Sequence, residues 1–306
     1  MTHTTTYQSS QWFNRIEASS SEWEILWSER SGTNGCPAYC RTRPLEKAWV
    51  KPRRKDSAVP AREKISADLG CLLRLPVVSV LLCKVTKPDG SIQPVALSKY
   101  SLSRHHLSWF RLQRQNLESR VIAEVIDYFA GDITVTAGMW VFDTWIQNRD
   151  RTDRNIMVGY SPGRLDHVYF YDFDQSMRWS GNSSTWGQVF VHQTVNQVFN
   201  RVKWEHCLPY LETIEALPES SITEIIDRIP HDYLPNERKV LYKMVLLYRR
   251  QHLRPAFYDL FHRLEQIKPS TGKVWYPDWQ VFKKAVIPAN PQRPAEAGAA
   301  QPPSHE

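Results

Sequence analysis

Residues 142–177 constrain the fold of this chain more than any other segment, because they predict four elements in a fixed order. Apolar residues at three- and four-residue steps predict a helix over 133–147, and the charged loop 148–155 follows it. Two apolar runs around the turn Ser161-Pro162-Gly163 then predict a β-hairpin, which ends in an acidic turn. A hairpin of this length would bring the acidic turn back beside the charged loop.

The polar residues of this segment have the types and spacing of a phosphoryl-transfer site. Asp150 and Asn155 lie five positions apart in the loop, and Asp172 and Asp174 flank a phenylalanine in the acidic turn. One carboxylate can stand near a hydroxyl nucleophile while an amide and a second carboxylate hold Mg²⁺ on a nucleotide. Mixed-charge loops are more often plain surface turns, and Asp174 could simply cap the next segment. The acidic turn at hairpin distance favours the functional interpretation.

A glycine-containing turn precedes the first long apolar run, and it consists of Gly32, Thr33, Asn34 and Gly35. Such a turn lets backbone N–H groups approach phosphates, and a lysine on the following strand can neutralise transferred charge. Lys51 is favoured over Lys47 for this role because it closes the apolar run. An ordinary hairpin turn followed by a solvated basic cluster is the alternative.

The helix predicted over 61–73 offers a partner carboxylate for this lysine. Glu63 is placed in its first turn, where it could position the Lys51 ammonium. An acid that is merely favoured by the helix dipole is the alternative interpretation. Apolar runs at 77–85 and 92–97 then predict two strands joined by a Pro-Asp-Gly-Ser turn.

The motif N-x-D-R-x-x-x-N at 148–155, followed by D-F-D at 172–174, resembles that of the HipA-like kinases, relatives of the protein and phosphoinositide kinases. The G-x-x-G-x-P turn, the strand ending Val50-Lys51 and the segment Leu75-Pro76-Val77 match the same family. The resemblance covers about residues 30–255. It implies that Asp150 is the catalytic base, that Asn155 and Asp172 bind metal, and that residues near 97–102 contact adenine.

The fold implied by the resemblance is a two-lobed, protein-kinase-like α+β fold. A β-rich N-lobe is expected over 1–105 and a mainly helical C-lobe over 106–287. Helical periodicity in the C-lobe predicts helices at 188–203, 205–217, 221–228, 235–253 and 255–266. The Pro- and Ala-rich tail 288–306 is expected to be disordered. The chain departs from HipA itself in having no long domain ahead of the glycine turn, which leaves substrate recognition and any toxin–antitoxin role open.

The implied activity is transfer of the ATP γ-phosphoryl group with Mg²⁺, and we expect a protein Ser or Thr as the acceptor. The alternatives are a small-molecule or lipid kinase, or a degenerate kinase fold that binds a nucleotide or a partner. Ser28, Ser31 and Thr33 lie beside the expected phosphate position and could be modified by the enzyme itself. Local hydrogen bonds of the turn are the favoured explanation for these hydroxyls.

Composition and charge narrow the class of protein. With 306 residues and 42% hydrophobic content, the chain can bury two joined lobes. No apolar run reaches the roughly 18 residues that span a bilayer, and no secretory pattern precedes the first apolar run, so we expect a cytoplasmic protein without membrane insertion. The net charge of +7 could attract ATP, an acidic protein or a nucleic acid. Nothing beyond charge supports nucleic-acid binding.

Overall fold

The computed structural model describes residues 13–27, 36–43, 46–52, 58–99, 105–115, 119–131, 133–179 and 202–266. The glycine turn 32–35, residues 100–102 of the expected hinge, most of the predicted helix 188–203 and the tail 288–306 lie outside this part. The described residues form two β-sheets and seven α-helices. The α+β class expected from the sequence is therefore observed.

The first sheet carries the predicted nucleotide lysine. Its strands are β1 (Glu17–Ala18), β2 (Trp23–Ile25), β3 (Cys36–Cys40), β4 (Lys47–Pro52), β5 (Val80–Thr86) and β6 (Ile92–Lys99). They are ordered β1-β5-β6-β4-β3-β2, and β4 pairs with both β3 and β6. Because side chains alternate along a strand, Ala48 and Val50 enter the sheet's apolar cluster while Lys51 points to the opposite face.

Helix α1 (Val59–Leu72) packs against this sheet and is buried almost along its whole length. It begins two residues earlier than predicted, so Glu63 is the fifth helical residue and not part of the first turn. The interpretation of Glu63 as an acid favoured by the helix dipole is therefore wrong, since that effect falls off within the first turn. Strand β5 also begins later than predicted, at Val80, because 75–79 forms an extended connection.

The predicted hairpin belongs to a second sheet, which consists of β7 (His105–Ser108), β8 (Ile156–Ser161) and β9 (Arg164–Phe170) in that order. Its strands pair antiparallel. The connection after α1 is bonded to the end of β9: Phe170 N donates to Pro76 O at 2.8 Å and Val78 N donates to Phe170 O at 3.0 Å. These bonds fix the acidic turn beside α1.

Helices make up most of the described residues beyond β7. They are α2 (Trp109–Gln115), α3 (Ser119–Gly131), α4 (Ile133–Trp145), α5 (Trp204–Ala216), α6 (Glu219–Asp227) and α7 (Asn236–Gln266). The helices predicted at 235–253 and 255–266 are one continuous helix with Pro255 inside it, so the predicted break is wrong. In the part of the chain that the structure describes, no helix is long and apolar enough to cross a membrane.

Helix α4 is the central support of the charged loop, because ten of its thirteen residues are buried. The Trp145 indole donates to Leu246 O of α7 at 2.9 Å, and Arg249 Nε donates to Trp145 O at 2.6 Å. One apolar cluster contains residues of α1, α4, the hairpin and α7. The loop after α4 is therefore attached to the core on both sides.

Candidate active site

Lys51 lies between two carboxylates that come from distant parts of the chain. Its Nζ donates to Glu63 Oε1 and to Asp172 Oδ1, each at 2.6 Å. The Lys51 side chain is 11% exposed, that of Glu63 is 1% exposed and that of Asp172 is 29% exposed. Burial alone would lower the pKa of Lys51, but the charges of Asp172 and Glu63 raise it above its ordinary value. The lysine is therefore held as an ammonium.

Glu63 connects this ion-pair network to the backbone of the acidic turn. Its Oε1 also accepts a hydrogen bond from Phe173 N at 3.0 Å. Burial raises the pKa of Glu63, although the Lys51 charge opposes this. One carboxylate thus aligns the lysine and the D-F-D turn together.

Helix α1 is anchored to the acidic turn and the C-terminal helices through buried polar side chains. Arg62 Nη2 donates to Asp174 O at 2.6 Å, and the hydroxyls of Ser66 and Ser176 are 2.9 Å apart. One turn later, Asp68 pairs with Lys64 at 3.0 Å and with Arg228 at 2.5 Å. We call the last group, Lys64, Asp68 and Arg228, the Asp68 triad.

Arg151 is the structural centre of the charged loop. Its guanidinium donates to both carboxylate oxygens of Asp143 in α4, at 2.9 and 3.1 Å, and the two side chains are 1% and 0% exposed. Nη1 of the same residue donates to Asn155 O at 3.0 Å and to Tyr171 O at 2.6 Å. The interpretation of the loop as a plain surface turn is wrong for Arg151, which joins the loop to the acidic turn.

Asp150 and Asn155 are hydrogen-bonded to each other within this loop. The Asn155 amide nitrogen donates to the backbone carbonyl of Asp150, and Asn155 is buried while Asp150 is exposed. Asn148 supports the same turn, because its Oδ1 accepts from Asp150 N at 3.3 Å and its Nδ2 donates to Asp143 Oδ1 at 2.9 Å. The carboxylate of Asp150 is thus presented to solvent on a fixed backbone.

The acidic turn has an uncommon backbone conformation at the residue that binds Lys51. Asp172 has a φ of 65°, in the left-handed region where non-glycine residues are rare. Tyr171 precedes it, and its hydroxyl donates to Arg154 O in the loop. Burial and then the Asp172 charge raise the pKa of Tyr171 to about 12. Strain of this kind persists where the surroundings over-determine it, and it is frequent at active sites.

The residues present suit a divalent cation. The Asn155 amide nitrogen is already bonded, so the amide oxygen is the atom left to act as a ligand. Tyr171 N donates to Asn155 O at 3.2 Å, which brings the start of the acidic turn to Asn155. Oxygen ligands from one or two carboxylates are what Mg²⁺ prefers. Among the described residues no group of three or more His, Cys, Asp or Glu could hold a metal. A metal here therefore depends on an amide and on further oxygens that ATP phosphates would supply.

Like charges near Asp150 make its titration a test of the site. Partial burial and then the charges of Asp172 and Asp174 raise the pKa of Asp150, while Asn155 and Arg151 lower it less. In the metal-free protein we expect the pKa to lie above the ordinary value of about 3.9. Asp174→Asn removes a negative charge and is expected to lower it, so the carboxylate forms at lower pH. A ¹³C NMR titration of Asp150 checks this, and an unchanged curve in Asp174→Asn would contradict it.

The structure brings most of the predicted site residues together. Lys51, Glu63 and Asp172 form one network, and the loop of Asp150 and Asn155 is joined to Tyr171 by Arg151. Asp174 lies in the same turn, where its Oδ1 accepts from Gln175 Nε2 at 3.0 Å. The predicted glycine-turn residues Gly32, Thr33, Asn34 and Gly35 lie outside the described residues. Sequence reasoning missed Asp143, Arg62 and Ser176, and no motif pointed to them. It also missed the structural role of Arg151, although this residue lies inside the quoted motif.

Comparisons with known proteins agree with this arrangement. A family model described as HipA-like kinase matches residues 24–263. The proinflammatory kinase CtkA of Helicobacter pylori is similar in structure, with a TM-score of 0.54 and 14% identity over 78% of this chain and 96% of that chain. This likeness confirms the predicted kinase-like fold. A toxin–antitoxin HipA structure from Shewanella oneidensis MR-1, in complex with HipB and operator DNA, has 15% identity over 75% of this chain and 63% of that chain, and a TM-score of 0.34. No curated protein matches the chain at a significant level.

Proposed function

Since the chain belongs to the HipA-like kinase family, we propose that it transfers the γ-phosphoryl group of ATP to a hydroxyl, with a protein Ser or Thr as the acceptor. The observation that carries the proposal is the contact of Lys51 with both Glu63 and Asp172 at 2.6 Å. It places a strand lysine, its helix carboxylate and a carboxylate of the acidic turn at one point. This is the arrangement that protein kinases need before transfer.

Lys51 would bind the phosphates. Two of its three ammonium protons go to Glu63 and Asp172, and the third is the donor available to a phosphate oxygen. Glu63 would position the lysine. The glycine turn 32–35 would cover the phosphates with its backbone N–H groups. The sequence places the boundary between the two lobes near residue 105, and this boundary is also a proposal.

Asp150 would act on the acceptor. Its exposed carboxylate orients the hydroxyl and takes its proton as the oxygen bonds to the γ-phosphorus and the bond to the β-phosphate oxygen breaks, which releases ADP. Asn155 and Asp172 would hold Mg²⁺, with Asp174 as a further ligand, and the bound ion supplies positive charge to the phosphates. The remaining barrier is lowered by positioning, because Arg151 fixes the loop and the turn relative to each other.

Incubation of the purified chain with Mg²⁺–ATP, followed by ADP measurement and phosphosite mapping by mass spectrometry, tests the proposal. We expect ADP formation and phosphate on Ser or Thr. Phosphate on Ser28, Ser31 or Thr33 would add self-modification of the glycine turn. Nucleotide binding without any turnover would instead support a degenerate kinase fold, and turnover only with small-molecule or lipid hydroxyls would exclude a protein acceptor.

Asp172→Ala is expected to weaken Mg²⁺-dependent ATP binding by at least roughly 10-fold, because it removes a carboxylate proposed to hold the metal, and loss of even an outer-shell partner of a metal ligand costs roughly 10- to 100-fold. Calorimetry with and without Mg²⁺ measures the effect, and the Mg²⁺-independent part should change less. Asp174→Ala is the matched variant in the same turn. An unchanged affinity in Asp172→Ala together with a loss in Asp174→Ala would transfer the main metal role to Asp174.

A further inference from the structure

Exposed arginines surround the proposed catalytic loop on two sides. We call them the arginine rim, and they are Arg111, Arg114, Arg154 and Arg178, all exposed. Helix α2, which carries the first two, packs against the short 3-10 turn Asp153–Asn155 of the loop. Arg178 lies four residues after Asp174 of the acidic turn. The rim therefore lies beside the place where an acceptor hydroxyl must approach.

Phe110 holds two of the rim arginines together. The guanidinium groups of Arg114 and Arg154 lie over the Phe110 ring, 5.0 and 4.8 Å from its centroid. Arg178 donates a hydrogen bond to Gln175 at 2.5 Å. The Arg178 charge also lowers the pKa of Arg149, although burial of Arg149 lowers that pKa by more. Arg111 is close enough to Tyr171 to lower the pKa of that phenol, against the larger effect of burial.

The rim arginines differ in pairing from two other exposed arginines of the chain. Arg120 pairs with Glu124 and Arg164 pairs with Asp166. In the part of the chain that the structure describes, none of the four rim side chains pairs with a carboxylate. Clustered like charges repel one another, so this arrangement favours a negatively charged ligand.

We propose that the arginine rim binds the acceptor, a protein segment whose Ser or Thr is flanked by carboxylate side chains; this rests on the proposed kinase function. Planar guanidinium groups match carboxylates in bidentate geometry, and opposite charge accelerates encounter. Acidic peptide is favoured over single-stranded nucleic acid because bases bind on exposed aromatic rings. Phe110 is only partly exposed and two guanidinium groups lie over its ring.

The test measures binding to the full chain by fluorescence anisotropy. The probes are a labelled serine peptide flanked by glutamates, the same peptide with glutamines, and a labelled oligouridylate. We expect the acidic peptide to bind most tightly, and its affinity to fall as NaCl is raised. In the double variant Arg114→Gln/Arg154→Gln its affinity should fall by roughly 3- to 30-fold, as expected for two exposed charge pairs.

Control variants separate charge from packing. Arg41→Gln/Lys87→Gln removes the same charge from exposed or partly exposed positions outside the rim and should change peptide affinity by less than about twofold. Arg114→Lys/Arg154→Lys keeps the charge and should retain most of the affinity. Unfolding midpoints of all variants show whether each one folds, and a misfolded glutamine variant is replaced by single substitutions at Arg111 and Arg178.

The outcomes distinguish this inference from the proposed function. Equal affinity for the two peptides, an equal loss in the control variant, or tighter binding of oligouridylate would overturn the acidic-acceptor assignment. ATP turnover with no preference for the acidic peptide contradicts only the proposed binding of the acceptor by the arginine rim. Selective binding of the acidic peptide without any turnover supports the rim and contradicts the kinase activity.

Discussion

Asp150→Ala is expected to reduce phosphoryl transfer by roughly 10²- to 10⁴-fold while Mg²⁺–ATP affinity stays close to that of the wild type. The carboxylate is exposed, and the conformation of the loop depends on other groups. The Asn155 amide donates to the backbone carbonyl of Asp150, and the Arg151 guanidinium donates to the backbone carbonyl of Asn155. Truncation therefore removes the group proposed to act on the hydroxyl and leaves the proposed nucleotide site in place.

Single-turnover measurements of ADP formation separate transfer from product release, and calorimetry measures nucleotide affinity. Asp150→Asn is the matched variant, because it keeps the shape and removes the ability to accept a proton. Both variants should lose transfer to a similar extent. Near wild-type transfer in either one would remove Asp150 from the mechanism, and a parallel loss of ATP affinity would show that it acts on the nucleotide instead.

Asp143→Ala is expected to lower the free energy of unfolding by roughly 3–5 kcal/mol, the largest effect on stability that we expect. It leaves the buried guanidinium of Arg151 without its carboxylate. The transfer of an uncompensated charge into the interior costs far more than the loss of an exposed ion pair. Because Arg151 also bonds Asn155 and Tyr171, the loop and the acidic turn should lose their relative positions as well.

Denaturant unfolding followed by circular dichroism measures this change. Glu215→Ala removes a carboxylate from a bidentate but partly exposed pair with Arg254 and should cost at most about 1 kcal/mol. Asp143→Ala/Arg151→Met removes both charges and should recover part of the loss. A cost in Asp143→Ala no larger than in Glu215→Ala would show that water or another group satisfies Arg151.

The hairpin and the acidic turn could be predicted because their signals are local. Two apolar runs around Ser161-Pro162-Gly163 predict the hairpin, and the length of the hairpin predicts where Asp172 returns. The family motifs added the roles of Asp150 and Asn155, which spacing alone left open. Lys51 was favoured over Lys47 because it ends an apolar run. In the structure Lys51 contacts the carboxylates of Glu63 and Asp172.

The remaining features depend on burial, which local sequence does not report. Arg151 lies in a loop of alternating charges that reads as solvent-exposed, yet its partner Asp143 comes from the buried face of α4. Pro255 predicted a break because it lacks an N–H donor, but α7 continues through it. Glu63 was placed two residues too close to the helix start, since α1 begins at Val59 with a proline at its second position.

The Asp68 triad ties the position of α1 to the C-terminal helices. An outward swing of α1 would separate Glu63 from Lys51, and it would also separate Asp68 from Arg228 of the C-terminal helices. Lys64 lies on α1 with Asp68 and would stay paired with it, and the Arg228 side chain is 20% exposed. The loss of the Arg228 pair therefore costs less than the roughly 3–5 kcal/mol of breaking a fully buried pair. A signal that displaces α1 must break the ion pairs of both Glu63 and Asp68.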